Sequence, residues 1–340
     1  MEVNKCYFGD SRIILDALNP VKKVQCCITS PPYWKLRDYS HSKQIGLEDS
    51  VPEYIDSLVK LFRKVRNLMS RSGTLWLNLG DTTVKYSSFG YDPKKYFGLT
   101  RKQLIGIPWR VAFALQEDGW VLRSDIIWHK TNITPLPLKD RCVPDHEYLF
   151  MFGVTQDYYF NWEAIQVPAI YAGTKVSKAV KSAALNKTYG APCGNFYEKD
   201  RTVSSFRRKR TVWDLPSGGH SGRYSEIPYH SAVFPENLVE PCILAGTRPG
   251  DIVLDPFFGS GTVGRVASRH GRNWVGIELI ENISPAPHIK EKQGVYTVEK
   301  AKITVGNLKK RPLMALNTVK LSLQKRKLTL PPEIPSEQKY

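Results

Sequence analysis

Short apolar runs alternate with amphipathic stretches of helical period over the first 170 residues. Asn4–Gly9, Val24–Thr29, Thr74–Asp81, Ser124–Lys130 and His146–Gly153 read as strands, and Val24–Thr29 (VQCCIT) is apolar enough to be buried on both faces. Ser11–Leu18, Val51–Ser70 and residues 107–120 read as helices. In the second of these, Tyr54, Leu58, Leu61, Phe62, Val65, Leu68 and Met69 recur at three-to-four spacing, and Ser72-Gly73 is the predicted stop. Asp157–Phe160 (DYYF) is predicted to extend the strand before it as a hairpin. From about Tyr171 to Tyr224 the periodicity disappears. It resumes with a helix over 235–246, a strand over Asp251–Phe257, a helix after Gly261 and a strand over Asn273–Leu279. Strands alternating with helices predict an α/β protein with an open, mostly parallel sheet. Beyond it, residues 297–305 could form one more strand, and the proline-rich last fifteen or so residues are expected to be poorly ordered.

Charge divides the same chain differently. The net +17 is concentrated: residues 171–225 carry 11 basic and 3 acidic groups, and residues 290–340 carry 12 and 4. The rest is close to neutral. Basic blocks on a balanced chain point to a polyanion, and nucleic acid is the usual one. The predicted organisation is therefore a first half (1–170), a basic segment (171–225), a second half (226–285) and a basic tail (286–340). No run reaches the roughly 18 apolar residues of a membrane span, and the N-terminus has no signal-peptide layout. The six cysteines form no CxxC pair and no metal-ligand spacing. Free buried thiols in a reducing cytoplasm, without membrane or metal, are the expectation.

Two junctions carry chemistry. In DPFFGSGT (Asp255–Thr262) a buried strand turns into a helix. Gly259 and Gly261 would let the backbone approach a ligand, and the helix start offers unpaired N–H groups. No GK[ST] follows, so this is not a phosphate P-loop. Glu278, 17 residues after Gly261, ends the next strand, where an acid accepts hydrogen bonds from a ribose. A nucleoside without pyrophosphate, S-adenosyl-L-methionine, fits this turn. The second junction is TSPPYW (Thr29–Trp34), at the end of the buried VQCCIT run. Pro31 and Pro32 fix φ and remove two N–H donors, Ser30 supplies a hydroxyl acceptor, and Tyr33 supplies a ring that can stack on a base.

SPPYW upstream, HSAVFPENL between, and DPFFGSGT downstream resemble the amino-group DNA methyltransferases of bacterial restriction–modification systems, in the permuted order of their beta group. GTLWLNLGD, SDIIWHKTNITPLPLKDR and DHEYLFMF match further pieces, so that the resemblance spans about residues 4–280. It implies a Rossmann-like seven-stranded sheet with a small inserted target-recognition region. It also implies a catalytic loop of Ser30, Pro31, Pro32 and Tyr33. The cofactor site would draw on Asp10, His230, Pro235, Asp255, Phe257, Gly259, Gly261, Thr262 and Glu278, and Lys130 and Asn132 would flank an extruded base. After IELIEN the sequence departs from the pattern, reading ISPAPHIKEKQGVYTVEK with two prolines.

The implied reaction is methyl transfer to an exocyclic amine of a flipped base in double-stranded DNA, protecting it from a partner restriction endonuclease. SPPY goes mostly with cytosine N4 in that family and DPPY mostly with adenine N6; cytosine is the reading, with adenine the alternative. Cytosine C5 methylation would need a cysteine nucleophile, and neither Pro192-Cys193 nor Pro241-Cys242 ends a strand beside the cofactor turn. A non-catalytic nucleic-acid binder is a further class, which cofactor binding would separate. Arg207, Arg208, Lys209 and Arg210 in the basic segment read as phosphate contacts. Monomer and homodimer both remain open.

Overall fold

The computed structural model describes residues 1–39, 41–85, 91–133, 135–176, 201–217 and 235–280. These all belong to one compact unit, Met1–Pro287. The strand expected over 297–305, and the expected disorder of the tail, lie outside the described residues.

Among the described residues, the centre is one sheet of eight strands: β1 (Lys5–Phe8), β2 (Val24–Thr29), β3 (Met69–Leu79), β4 (Val121–Lys130), β5 (His146–Gly153), β6 (Val212–Leu215), β7 (Ile252–Asp255) and β8 (Asn273–Glu278). Their spatial order is β1-β8-β7-β2-β3-β5-β4-β6, and only β5 runs antiparallel to its neighbours. The two halves of the sequence are thus interleaved in one sheet. The N-terminal β1 pairs with β8, and β2 pairs with β7.

Period-two alternation sends side chains to both faces of the sheet. Cys27, Leu75, Leu77 and Leu254 pack under α1 (Ser11–Ala17), α2 (Val51–Leu68) and α3 (Ile107–Glu117). Cys26, Ile28, Trp76 and Val253 pack on the other side, under α4 (Glu236–Gly246) and α5 (Thr262–Arg269). α2 starts on a capping box, with Ser50 accepting from the Glu53 amide and Glu53 from that of Ser50.

Four expectations change. The seven expected strands are present, but the eighth is Val212–Leu215, the end of the basic segment, which pairs in parallel with β4. Asp157–Phe160 is not a strand: the Tyr159 amide donates to the Ser72 carbonyl (2.8 Å), and the Phe160 ring stacks on Trp76, so these aromatics cover the sheet instead of extending it. Ser72-Gly73 does not stop α2. The helix ends at Leu68 and the chain passes directly into β3, which contains both residues. Among the described cysteines Cys26, Cys27 and Cys242 are buried, but Cys142 is exposed and Cys6 half-buried.

β2 leads through α2 to β3 on one side, and β7 leads through α5 to β8 on the other. The order therefore reverses between β2 and β7. In open α/β sheets the crevice at the carboxyl ends of such a pair is where ligands bind, and the two sequence junctions leave the sheet there.

Candidate active site and its relatives

Thr29 and Asp255 end the two central strands, and the Thr29 hydroxyl donates to Asp255 Oδ1 at 2.6 Å. Asp255 also accepts from the Phe257 amide at 3.0 Å, which bends the chain into the glycine turn. The serine corner and the glycine turn are thereby tied together at their roots. Burial pushes the Asp255 carboxyl up to about 7, with the Thr29 and Phe257 hydrogen bonds opposing that rise. Its folded value lies above the ordinary 3.8, so between about pH 4 and 7 the folded chain binds more protons than the unfolded one. Stability should consequently fall as pH rises through that window. Asp255→Asn keeps an acceptor oxygen but cannot ionise, and urea unfolding at pH 5 and pH 8 should show that the variant loses this part of the pH dependence.

The glycine turn follows. Gly259 (φ 51°) and Gly261 (φ 78°) adopt left-handed backbone, and Gly261 caps α5. Glu278, at the end of β8, accepts the Gly259 amide on Oε2 (2.8 Å) and the Ile280 amide on Oε1 (3.3 Å). Under the turn the Phe258 ring is buried and stacked on Trp274, with centroids 4.9 Å apart. Asp10 caps α1 by accepting from the Arg12 amide (2.9 Å). Burial would raise its carboxyl, but hydrogen bonds and charge from Arg12 outweigh this and hold it below its usual value.

At the serine corner, Pro31 is buried and the Pro32 carbonyl accepts from the Tyr54 hydroxyl (2.9 Å). The Ser30 hydroxyl points to the Tyr33 oxygen at 3.4 Å. The Tyr33 hydroxyl donates to Glu147 Oε2 at 2.6 Å and lies 3.2 Å from Asn78 Oδ1. Asn78 Nδ2 donates to the same Glu147 oxygen (3.1 Å), and Lys130 pairs with the other. Burial, then the Glu147 carboxylate, hold the Tyr33 phenol well above its ordinary value, so it stays a neutral donor.

One cavity of about 380 Å³, of the size that takes small ligands, is lined by both junctions. Ser30, Pro31, Pro32 and Tyr33 meet Asp10, Asp255, Phe257, Gly259, Thr262 and Glu278 around it, with Lys130 at its wall. Gly261 caps α5 without lining the cavity, and Pro235 is the N-cap residue of α4, also outside the lining. His230 lies outside the described residues. Asn132 is not in the wall either. Its side chain accepts from the Ser217 amide (2.6 Å), tying the loop after β4 to Ser217, which does line the cavity.

Of the four basic residues at 207–210, none lines the cavity. Arg208 lies over the Trp162 ring (4.6 Å) and Lys209 over Trp213 (4.6 Å). Arg208 and Arg210 are exposed, whereas Arg207 and Lys209 are half-buried. Cys242 is fully buried, its thiol donates to the Leu238 carbonyl (3.2 Å), and burial pushes it well above its ordinary value. It is no nucleophile. Cys193 lies outside the described residues.

Sequence reasoning missed Glu147 and Asn78. Asn78, the one polar residue in the run Leu75–Leu79, was the available signal, because an amide in a run apolar enough to be buried needs partners, and it is 2% exposed.

A doubly wound sheet with a nucleoside-type glycine turn and a Ser-Pro-Pro-Tyr corner at one switch point is the architecture of a Rossmann-like methyltransferase. The sequence profile of the N6/N4 DNA methylases matches residues 24–287, and the chain belongs to that DNA methylase family. The type II methyltransferase M.Cfr9I of Citrobacter freundii is 42% identical over 285 residues, covering 80% of this chain and 82% of that protein. M.SmaI of Serratia marcescens, also a type II methyltransferase, is 41% identical over 290 residues, covering 82% and 87%. Among solved structures, the cytosine-N4-specific PvuII DNA methyltransferase shares the fold, with a TM-score of 0.56 and 19% identity over 82% of this chain and 83% of that one.

Proposed function

We propose that this DNA methylase transfers a methyl group from S-adenosyl-L-methionine to the N4 amine of cytosine in double-stranded DNA, protecting its site from a partner restriction endonuclease. The observation that carries this reading is the single cavity shared by Ser30–Tyr33 and by Gly259 and Glu278. The cofactor fits the residues present. The Glu278 carboxylate, anchored by backbone amides, faces the cavity where ribose hydroxyls would donate, and the glycine turn leaves room for the nucleoside. Bound there, it supplies an electrophilic methyl group on sulfur.

The protein's own part is orientation. An exocyclic amine is a poor nucleophile because its lone pair is delocalised into the ring. Ser30 and Pro31 both line the cavity, and Ser30 Oγ and the Pro31 carbonyl would accept its two hydrogens, favouring a pyramidal nitrogen whose lone pair points across the cavity. Such preorganised alignment is where most of the acceleration arises. The base must leave the duplex to reach this corner, and Tyr33, its hydroxyl tied to Glu147, offers a fixed ring to receive it.

The serine form of the corner, SPPY, which goes mostly with cytosine in the family it resembles, supports cytosine over the adenine N6 alternative. Nucleoside mass spectrometry of DNA from cells expressing the protein tests this: N4-methylcytosine is expected, and N6-methyladenine alone would replace the assignment. Exposed Arg208 and Arg210, with the rest of the basic segment, would contact phosphates. Four such contacts would weaken duplex binding on the order of 100-fold between 50 and 200 mM salt. Fluorescence anisotropy on unmethylated DNA measures it, and a flat salt response would contradict the charge argument. No described helix is long and apolar enough to cross a membrane.

A further inference from the structure

Glu147 sits on β5, 114 residues from Tyr33 in sequence, and gathers donors from three elements. Tyr33 comes from the loop after β2, Asn78 from β3 and Lys130 from β4. Its side chain is 14% exposed, so the carboxylate is largely withdrawn from water but not sealed from it. The orientation of the chain of hydroxyls is the informative feature. Ser30 Oγ donates to the Tyr33 oxygen, and Tyr33 donates to Glu147 Oε2. The shorter of the two contacts of the Tyr33 hydroxyl is to the carboxylate, 2.6 Å against 3.2 Å to Asn78 Oδ1, which leaves the Tyr33 oxygen to accept from Ser30 and lets the two contacts run in one direction.

We propose that Glu147 receives the proton released by methyl transfer, through Ser30 and Tyr33. The inference rests on the amino-methylating reading above and adds where its proton goes.

After the methyl group is attached, the nitrogen carries one hydrogen more than the neutral product and a positive charge. That N–H bond breaks and its electron pair stays on nitrogen. The proton forms a new O–H on Ser30, whose own proton moves to the Tyr33 oxygen, whose proton moves to Glu147 Oε2. Ser30 and Tyr33 end as they began. The base loses its positive charge and Glu147 its negative one, and Glu147 then yields the proton to solvent. No other reactant is required. Tyr33, held as a neutral phenol, passes a proton on without keeping a charge. The 2.6 Å step to Glu147 is already short. The 3.4 Å step from Ser30 is the long one, and catalytic hydrogen bonds commonly tighten only when substrate is bound. Among the described residues, the titratable groups in hydrogen-bond contact with the carboxylate are Tyr33 and Lys130; Asn78 is neutral.

Glu147 is therefore a positioning residue that also accepts a proton at a distance, and the test must separate the two roles. Single-turnover transfer of labelled methyl groups to genomic DNA from cells lacking the protein would be followed between pH 6.5 and 9 for wild type, Tyr33→Phe and Glu147→Gln. Tyr33→Phe interrupts the chain while leaving Glu147, Asn78 and Lys130 in place. Cofactor affinity by calorimetry, unchanged in both variants, serves as the fold control. Both variants should be slowed at least tenfold at pH 6.5, recover as pH rises, and be accelerated by added imidazole, whereas wild type responds weakly to either. Rates within twofold of wild type at every pH would overturn the proposal. So would a reduction by one constant factor with no rescue by imidazole, which is what a merely structural role gives. Wild-type transfer in the same series tests the amino-methylating reading separately.

Discussion

Ser30→Ala is expected to slow methyl transfer on the order of 100-fold, the usual cost of removing one preorganised hydrogen-bonding group from a reacting centre. The only described partner of the Ser30 hydroxyl is the Tyr33 oxygen, at 3.4 Å, so its loss leaves the corner's backbone supports intact. Pro31 stays buried, and Tyr54 still holds the Pro32 carbonyl. Cofactor affinity should therefore be unchanged, because the glycine turn and Glu278 do not depend on Ser30. Single-turnover kinetics with calorimetry on the same preparation would show this. A variant that kept full turnover would remove Ser30 from the reaction, and one that lost cofactor binding would make its role structural.

Gly276→Val should have the largest effect on the cofactor half. A side chain at Gly276, in β8, would place its first carbon 2.4 Å from the Phe258 ring. That ring cannot retreat. It is stacked on Trp274 on one side, and carbons added at Gly264 and Gly261 would stand 2.7 Å and 3.1 Å from it. Phe258 thus fills a hollow that exists because three residues around it lack side chains, and it fixes the height of the turn above the sheet. Overpacking of this kind costs about 3 kcal/mol, and relief by moving Phe258 would displace Gly259 from Glu278. The variant should unfold at lower denaturant and bind the cofactor at least tenfold more weakly. Wild-type values in both assays would mean that the turn is not held by this packing.

Much of this was legible from the sequence because the central strands carry their own evidence. VQCCIT could only be buried on both faces, and successive residues, Cys26 and Cys27, do go to opposite cores. DPFFGSGT and Glu278 were visible because a glycine turn between a strand and a helix, followed by an acid one strand later, has few other uses. What was not legible depended on pairing across the fold. Val212–Leu215 is too short and too polar in its surroundings to read as a strand, and it becomes one only beside β4. DYYF has strand-forming residues, but the Ser72 carbonyl and the Trp76 ring claim them. Ser72-Gly73 reads as a helix stop, yet the helix had ended earlier and the pair was drawn into β3. Glu147 stood in a run already taken for a strand. Its role emerges only because β5 pairs antiparallel with β3, setting Leu79 opposite Tyr148 and bringing the carboxylate beside Asn78 and Tyr33.

Methyl transfer at this site requires that the corner at 30–33 present the amine to a methyl donor held beside Gly259 and Glu278. The most direct measurement is a crystal structure of the protein with S-adenosylhomocysteine and a duplex containing its methylation site. The extruded base should place its amine within about 3 Å of Ser30 Oγ, facing the cofactor sulfur across the cavity. A base seated elsewhere, or a cofactor bound away from Glu278 and Gly259, would contradict it.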